Sequence, residues 1–218
     1  FRLGIAQDEA FHFYYADNLE ALEARGADLC RFSPLADAGL PPGLDGLYFG
    51  GGYPEVYAAR LAGNRAMLAE VRAFAASGRP IYAECGGLMY LGRSLRTRDG
   101  SRHAMANVLP LETAMLDRLK TLGYAEVSLR ADSLWGPAGA VCRGHEYHYS
   151  EIVADNSRGC IPAEGETWPP AYTVRRPHGE VVEEGFARGN VLASYIHLHW
   201  ASRPDVIDHF LAHAEATA

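Results

Sequence analysis

Residues 82–91 read YAECGGLMYL, and this stretch constrains the chain more than any other. Arg79-Pro80-Ile81-Tyr82-Ala83 predicts a short buried strand, and Leu88-Met89-Tyr90-Leu91 predicts the start of a helix. Between them stand Glu84, a lone thiol at Cys85, and two residues without side chains, Gly86 and Gly87. Open α/β sheets carry reactive groups at the carboxyl ends of their strands. A sharp strand-to-helix turn holds a nucleophile out in a strained position. The helix amino terminus adds free N–H groups and partial positive charge, which favour a thiolate and an oxyanion. Gly86 and Gly87 let a substrate approach that backbone closely. The stretch is built as a cysteine nucleophile elbow.

The flanking sequence supports such a sheet. Strands are expected at 2–7 (RLGIAQ), 27–32 (ADLCRF) and at the start of 47–55 (LYFGGGYPE). A helical stretch carries Leu19, Leu22 and Glu23 and stops near Gly26. Met67, Leu68, Val71, Phe74 and Ala75 fall at helical spacing before Gly78. This alternation predicts parallel βαβ units, hence an open, mostly parallel sheet flanked by helices. The second half changes rhythm. Residues 123–129, 140–153, 171–176 and 190–200 each read as one strand, so an antiparallel extension is expected. A last helix runs from Val206 to Ala214 behind Arg203-Pro204-Asp205. No repeat or linker divides the 218 residues, so a single α/β domain is expected.

The 48% hydrophobic and 22% charged residues are those of a globular chain, and its apolar runs are too short to span a bilayer. The net charge of -7 has no basic cluster, which argues against nucleic-acid and anionic-membrane partners. Four cysteines lie far apart with no CxxC pair, which points to a reducing, cytoplasmic setting. Cys30 reads as a small core residue of a strand; Cys142 and Cys160 read as core or loop cysteines.

A thiolate attacking an amide or ester needs a general base and an oxyanion hole. The second glycine-rich loop, GGGYPE at 50–55, offers a further N–H donor or is a plain turn. For the base, SYIHLHW (194–200) offers His197 and His199 on one strand face, and RGHEYHYS (143–150) offers His145 and His148. Without cysteine or carboxylate ligands at standard spacing, these histidines do not make a metal site the expectation.

The motifs GGYPE, YAECGGLMYL, RGHEYHYS and SYIHLHW occur in that order. Together they resemble the class I glutamine amidotransferase domain of the cobyrinic acid and hydrogenobyrinic acid a,c-diamide synthases, over essentially the whole chain. The resemblance implies a flavodoxin-like fold and hydrolysis of L-glutamine through a γ-glutamyl thioester on Cys85. It implies that His197 shuttles the proton and that backbone N–H groups of Gly86 and of the Gly51-Gly52 loop form the oxyanion hole. It also marks Tyr53, Met89, His145, His148 and Tyr149 as substrate-contacting positions. The ammonia would amidate the a- and c-acetate carboxylates of the corrinoid, activated as acyl phosphates by ATP.

Two positions depart from the wider class. Met89 stands where many members carry a glutamine, and His197-Leu198-His199 stands where many carry His-x-Glu. Either His199 orients His197, another acid does, or a dyad suffices. These departures predict a glutaminase that is slow or partner-controlled when isolated. The family's amino-terminal synthetase domain, which uses ATP with Mg²⁺, has a phosphate loop that does not occur here, and Phe1 fits a separate carboxy-terminal domain. The amidotransferase domain itself is expected to need no cofactor and to work with a synthetase domain; a homodimer is an arrangement left open. The rival readings are a weakly catalytic binding module and another cysteine hydrolase of the same fold.

Overall fold

The structure is a computed structural model that describes residues 1–153, 168–177 and 179–215. The first half alternates as expected: β1 (Arg2–Ala6), α1 (Ala16–Glu23), β2 (Asp28–Phe32), β3 (Gly46–Phe49), α2 (Ala58–Gly63), α3 (Arg65–Ala76), β4 (Ile81–Glu84) and α4 (Gly86–Leu91). The second half is mostly strand: β5 (Ser94–Arg96), β6 (Arg102–Ala104), β7 (Glu112–Met115), β8 (Thr121–Leu129), β9 (Val141–His148), β10 (Ser150–Val153), β11 (Tyr172–Arg175), β12 (Val181–Glu184), β13 (Phe186–Arg188), β14 (Val191–Ser194) and β15 (His197–His199). A 3₁₀ turn (Trp200–Ser202) and α5 (Asp205–Glu215) follow.

The central sheet is six-stranded, in the order β13-β14-β4-β3-β1-β2. Its pairs are parallel except β13–β14 at one edge. Without that edge strand the order is the flavodoxin-like doubly wound one. Strands β3, β4 and β14 are buried at every position, as a parallel sheet covered on both faces requires. On one face Phe49 and Ala83 pack with Met67, Leu68, Val71 and Phe74, the apolar stripe of α3. On the other, Tyr48, Tyr82 and Leu192 meet Val127, Trp135, Trp200 and Phe210 from the antiparallel half and α5. That half forms a five-stranded sheet, β12-β11-β8-β9-β15, and a four-stranded one, β10-β7-β5-β6.

Two expected strands are each broken in two, with their halves in different sheets. The run 140–153 becomes β9 and β10, parted at Tyr149, and 190–200 becomes β14 and β15, parted at Tyr195 and Ile196. At the second break, side chains take over the backbone's hydrogen bonds. Glu184 accepts the Tyr195 N–H at 2.8 Å and the Ser194 hydroxyl, while Ser194 Oγ accepts the Ile196 N–H at 2.9 Å. Helix α2 and the short strands β5, β6, β7, β12 and β13 carry too few residues for their periodicity to be read in advance.

Cys30, expected in the core, is half-buried on the edge strand β2, with its sulfur 3.5 Å from an Arg2 guanidinium nitrogen. Cys142 is a core residue whose thiol burial pushes up to about 11. Cys160 lies outside the described residues. No helix among the described residues is long and apolar enough to cross a membrane.

Burial raises the Glu184 carboxyl from 4.5 to about 7, although Ser194 and Tyr195 donate to it. Between those values the folded protein keeps a proton that the unfolded chain has released, so this group makes stability fall as pH rises. Glu184→Gln should remove that component. Urea unfolding at about pH 5 and about pH 8 should find the variant gaining on the wild type at the higher pH. Equal pH dependence in the two proteins would contradict the assignment.

Candidate active site

Cys85 sits where β4 turns into α4, with φ 47° and ψ -101°. A non-glycine residue held there stores on the order of 1–3 kcal/mol of strain, so its surroundings must determine it. They do so through backbone bonds. The Cys85 N–H donates to the Ser194 carbonyl at 2.7 Å, and the Gly87 N–H donates to the Gly50 carbonyl at 3.1 Å. Gly87 is required by close approach, since a Cβ there would lie 2.4 Å from the Phe49 carbonyl oxygen.

The break after β14 delivers His197 to this turn. The residue is 4% exposed, and its ring stands edge-on to Phe13, 4.6 Å between centroids. Burial lowers the pKa of His197, but hydrogen bonding and charge from Cys85 and Glu84 outweigh it and raise the imidazole to about 10. Glu84 lies one residue before the thiol and is 1% exposed. It accepts the hydroxyls of Tyr48 at 2.9 Å and Tyr82 at 2.7 Å, and the Leu198 N–H at 2.9 Å. Its Oε2 is also 3.6 Å from His197 Nδ1. Sequence reading did not assign Glu84 a role. The signal was a carboxylate ending the otherwise apolar strand Ile81–Glu84.

The cavity at the thiol has a volume of about 130 Å³. Tyr53, Met89, His145, His148, Tyr149 and Gly52 all line it, together with His12, Phe13, Glu55, Met115, Tyr147 and Ser150, which sequence reading gave no role. His148 Nδ1 lies 2.8 Å from the Ser150 carbonyl oxygen, and its ring stacks on Tyr195 at 3.9 Å. Burial pushes Glu146 up, but His148 and the two-pronged contact from Arg176 hold it below the usual carboxylate range. Ser150 Oγ is 3.0 Å from the Tyr195 hydroxyl and 3.6 Å from the Met89 sulfur. Burial lowers the His145 pKa, and the His197 charge opposite lowers it further.

Of the three glycines expected to line an oxyanion hole, Gly51 donates its N–H to the Phe13 carbonyl at 3.1 Å and is already engaged. Among the described residues, Gly52 and Gly86 donate to no backbone carbonyl, and a Cβ at Gly86 would lie 3.1 Å from the Gly52 nitrogen. Gly52 and Gly86 thus adjoin at the two loops, and N–H groups not taken by backbone carbonyls are what an oxyanion hole is made from. His199 stands apart from the cavity. Its Nε2 is 3.6 Å from Asp17 Oδ2, and its ring lies against Tyr15.

A buried cysteine on a strained turn, a histidine and adjoining backbone donors are a set for acyl transfer. The family described as the CobB/CobQ-like glutamine amidotransferase domain matches residues 2–205. The chain belongs to this family. It is similar to the cobyrinate a,c-diamide synthase of Syntrophotalea carbinolica, 54% identical over 93% of this chain and 43% of that one. It is likewise similar to the Salmonella typhimurium protein of the same name, 43% identical over 97% of this chain and 44% of that one. The chain thus spans less than half the length of these relatives. Among solved structures, a glutamine amidotransferase covers 98% of both chains with a TM-score of 0.63 at 18% identity. Another glutamine amidotransferase, from Thermotoga maritima, covers 99% of this chain and 84% of its own, with a TM-score of 0.57 at 12% identity. These two share the fold.

The site leaves no room for a side chain at Gly51, where a Cβ would lie 2.3 Å from His197 Cε1. Gly51→Ala must displace the imidazole while changing little else. Alkylation of Cys85 by iodoacetamide should slow by roughly 100-fold, the scale of an ångström of misplacement, with the melting temperature nearly unchanged. A rate within about threefold of the wild type would show that the ring position is not critical.

Proposed function

We propose that this domain hydrolyses L-glutamine through a cysteine thioester and passes the ammonia to an ATP-dependent amidation of a corrinoid. The observation that carries the reading is Cys85, strained at φ 47° between β4 and α4 and within the reach of His197. The sulfur attacks the γ-carboxamide carbon, and His197 takes the thiol proton. The N–H groups of Gly52 and Gly86 stabilise the oxyanion. His197 returns the proton to the departing nitrogen, the C–N bond breaks, and ammonia leaves a γ-glutamyl thioester on Cys85. Water, deprotonated by His197, then releases glutamate and the free thiol. Tyr53, Met89, His145, His148 and Tyr149, all on the cavity wall, hold the substrate.

The acceptors are the a- and c-acetate carboxylates of cobyrinic or hydrogenobyrinic acid. This follows the name of the relatives at 54% and 43% identity. Activation of those carboxylates by ATP and Mg²⁺ belongs to a synthetase domain. The length of the relatives, of which this chain spans 43–44%, supports that division of labour.

Cys85→Ala should leave the fold intact and abolish glutamine-dependent synthesis in the full protein, while synthesis from added ammonia survives. Continued use of glutamine by a folded Cys85→Ala protein would sink the nucleophile assignment. Cys30→Ala and Cys142→Ala should alter stability more than turnover.

The histidines should separate in the same assay. His197→Asn removes the proton shuttle and should lower kcat by roughly 100- to 10,000-fold. His199→Asn, whose ring faces Asp17 and Tyr15, should cost much less. The reverse ranking in steady-state rates would place the base on His199.

A further inference from the structure

Among the described residues no acceptor stands at full hydrogen-bond distance from the buried Nδ1 of His197, although a ring that shuttles protons through Nε2 needs Nδ1–H held by an acceptor. Few groups can serve. His199, two residues on, is engaged with Asp17, which is 70% exposed. Glu146 is held by Arg176 and His148. Among the described residues, the groups that face His197 are Cys85, His145, the Phe13 ring and Glu84, and of these only Glu84 is an acceptor carboxylate.

We propose that Glu84 is the positioning acid of the proton shuttle, standing next to the nucleophile in the chain and facing His197 Nδ1, so that Nε2 is left for the Cys85 thiol. The proposal rests on the glutaminase reading above. Three features make Glu84 suited to this work. Its carboxylate cannot swing away, because Tyr48, Tyr82 and the Leu198 N–H hold it. The Leu198 bond also ties it to the backbone of the residue after His197, so one group orients both the ring and the strand that carries it. Finally, the 3.6 Å separation is an ion-pair distance that a small ring movement converts to a hydrogen bond. Catalytic hydrogen bonds in unliganded enzymes are often long and tighten when substrate binds.

No proton need pass to Glu84 in this scheme. The carboxylate accepts from Nδ1–H and stabilises the imidazolium formed when Nε2 takes the thiol proton. A strand end thereby supplies both the nucleophile and the orienting acid. The acid that many class members place two residues after the histidine is here supplied from a different sheet.

The test compares Glu84→Gln and Glu84→Asp with the wild type in the full protein. The amide is nearly isosteric but uncharged; the shorter acid keeps the charge. Glu84→Gln should lower glutaminase kcat by about 100-fold with KM changed less than about threefold, and shift the basic limb of the pH profile to lower pH. Glu84→Asp should keep the limb near its wild-type position and recover part of the rate. The pH dependence of Cys85 alkylation by iodoacetamide should change as well in Glu84→Gln and less in Glu84→Asp, because the thiolate fraction depends on the charge of the ring beside it. That assay needs no glutamine, so it distinguishes failure of the positioning role from failure of the glutaminase reading. A folded Glu84→Gln protein with wild-type pH dependence in both assays would overturn the proposal. If Glu84→Gln does not fold, ¹⁵N NMR of His197 in the wild type decides. A protonated Nδ1 and a titration well above the ordinary range are expected, and an unprotonated Nδ1 at neutral pH would refute the role.

Discussion

The carboxylate of Glu84 is the group on which the rest of the arrangement depends. It is buried where β4 ends, and its partners come from both main sheets: Tyr48 and Tyr82 from the parallel one, Leu198 from the antiparallel one. A buried carboxylate without partners is penalised by several kcal/mol. Each hydrogen bond to a charged group contributes about 1.5–3 kcal/mol. The two sheets must therefore meet at this point for the charge to be tolerated, and their meeting brings His197 to the residue that follows Glu84.

Ser194 performs a matching task from the neighbouring strand. Its carbonyl accepts the Cys85 N–H and so supports the strained turn. Its hydroxyl donates to Glu184 and accepts from Ile196, which ends β14 and redirects the chain into β15. Cys85 and His197 are thus referred to one residue, fully buried in the sheet. A site held this way needs little reorganisation at the moment of reaction, which is where electrostatic preorganisation is most effective. The neighbouring cavity wall is reinforced by a second buried network, in which Arg176 holds Glu146, Glu146 faces His148, and His148 stacks on Tyr195.

Much of this was legible in the sequence. The parallel core could be read because its strands are short apolar runs separated by helices with apolar residues at 3.6-residue spacing, as in α3. The elbow could be read because Cys-Gly-Gly at a strand end is a local feature. The broken strands could not. Residues 140–153 and 190–200 keep strand-like composition through Tyr149 and Tyr195, and the partners that end pairing there, such as Glu184, come from elsewhere in the chain. His197 and His199 look equivalent at a spacing of two, yet one is buried beside Cys85 and the other faces Asp17. Gly51 and Gly52 look interchangeable until the Phe13 carbonyl is seen to occupy the Gly51 N–H.

The sequence by itself determined the fold class, the position of the thiol on a strand-to-helix turn, and the histidine-bearing segments from which a base would come. These follow from periodicity and local backbone chemistry, which act over a few residues. The tertiary structure decided which histidine meets the sulfur, which N–H groups remain free, and which carboxylate stands behind the ring. Those outcomes depend on groups far apart in the chain, Glu84 and Leu198 being 114 residues apart. What selects them is the requirement that each buried polar group find a partner, and that requirement is met only when the sheets have packed.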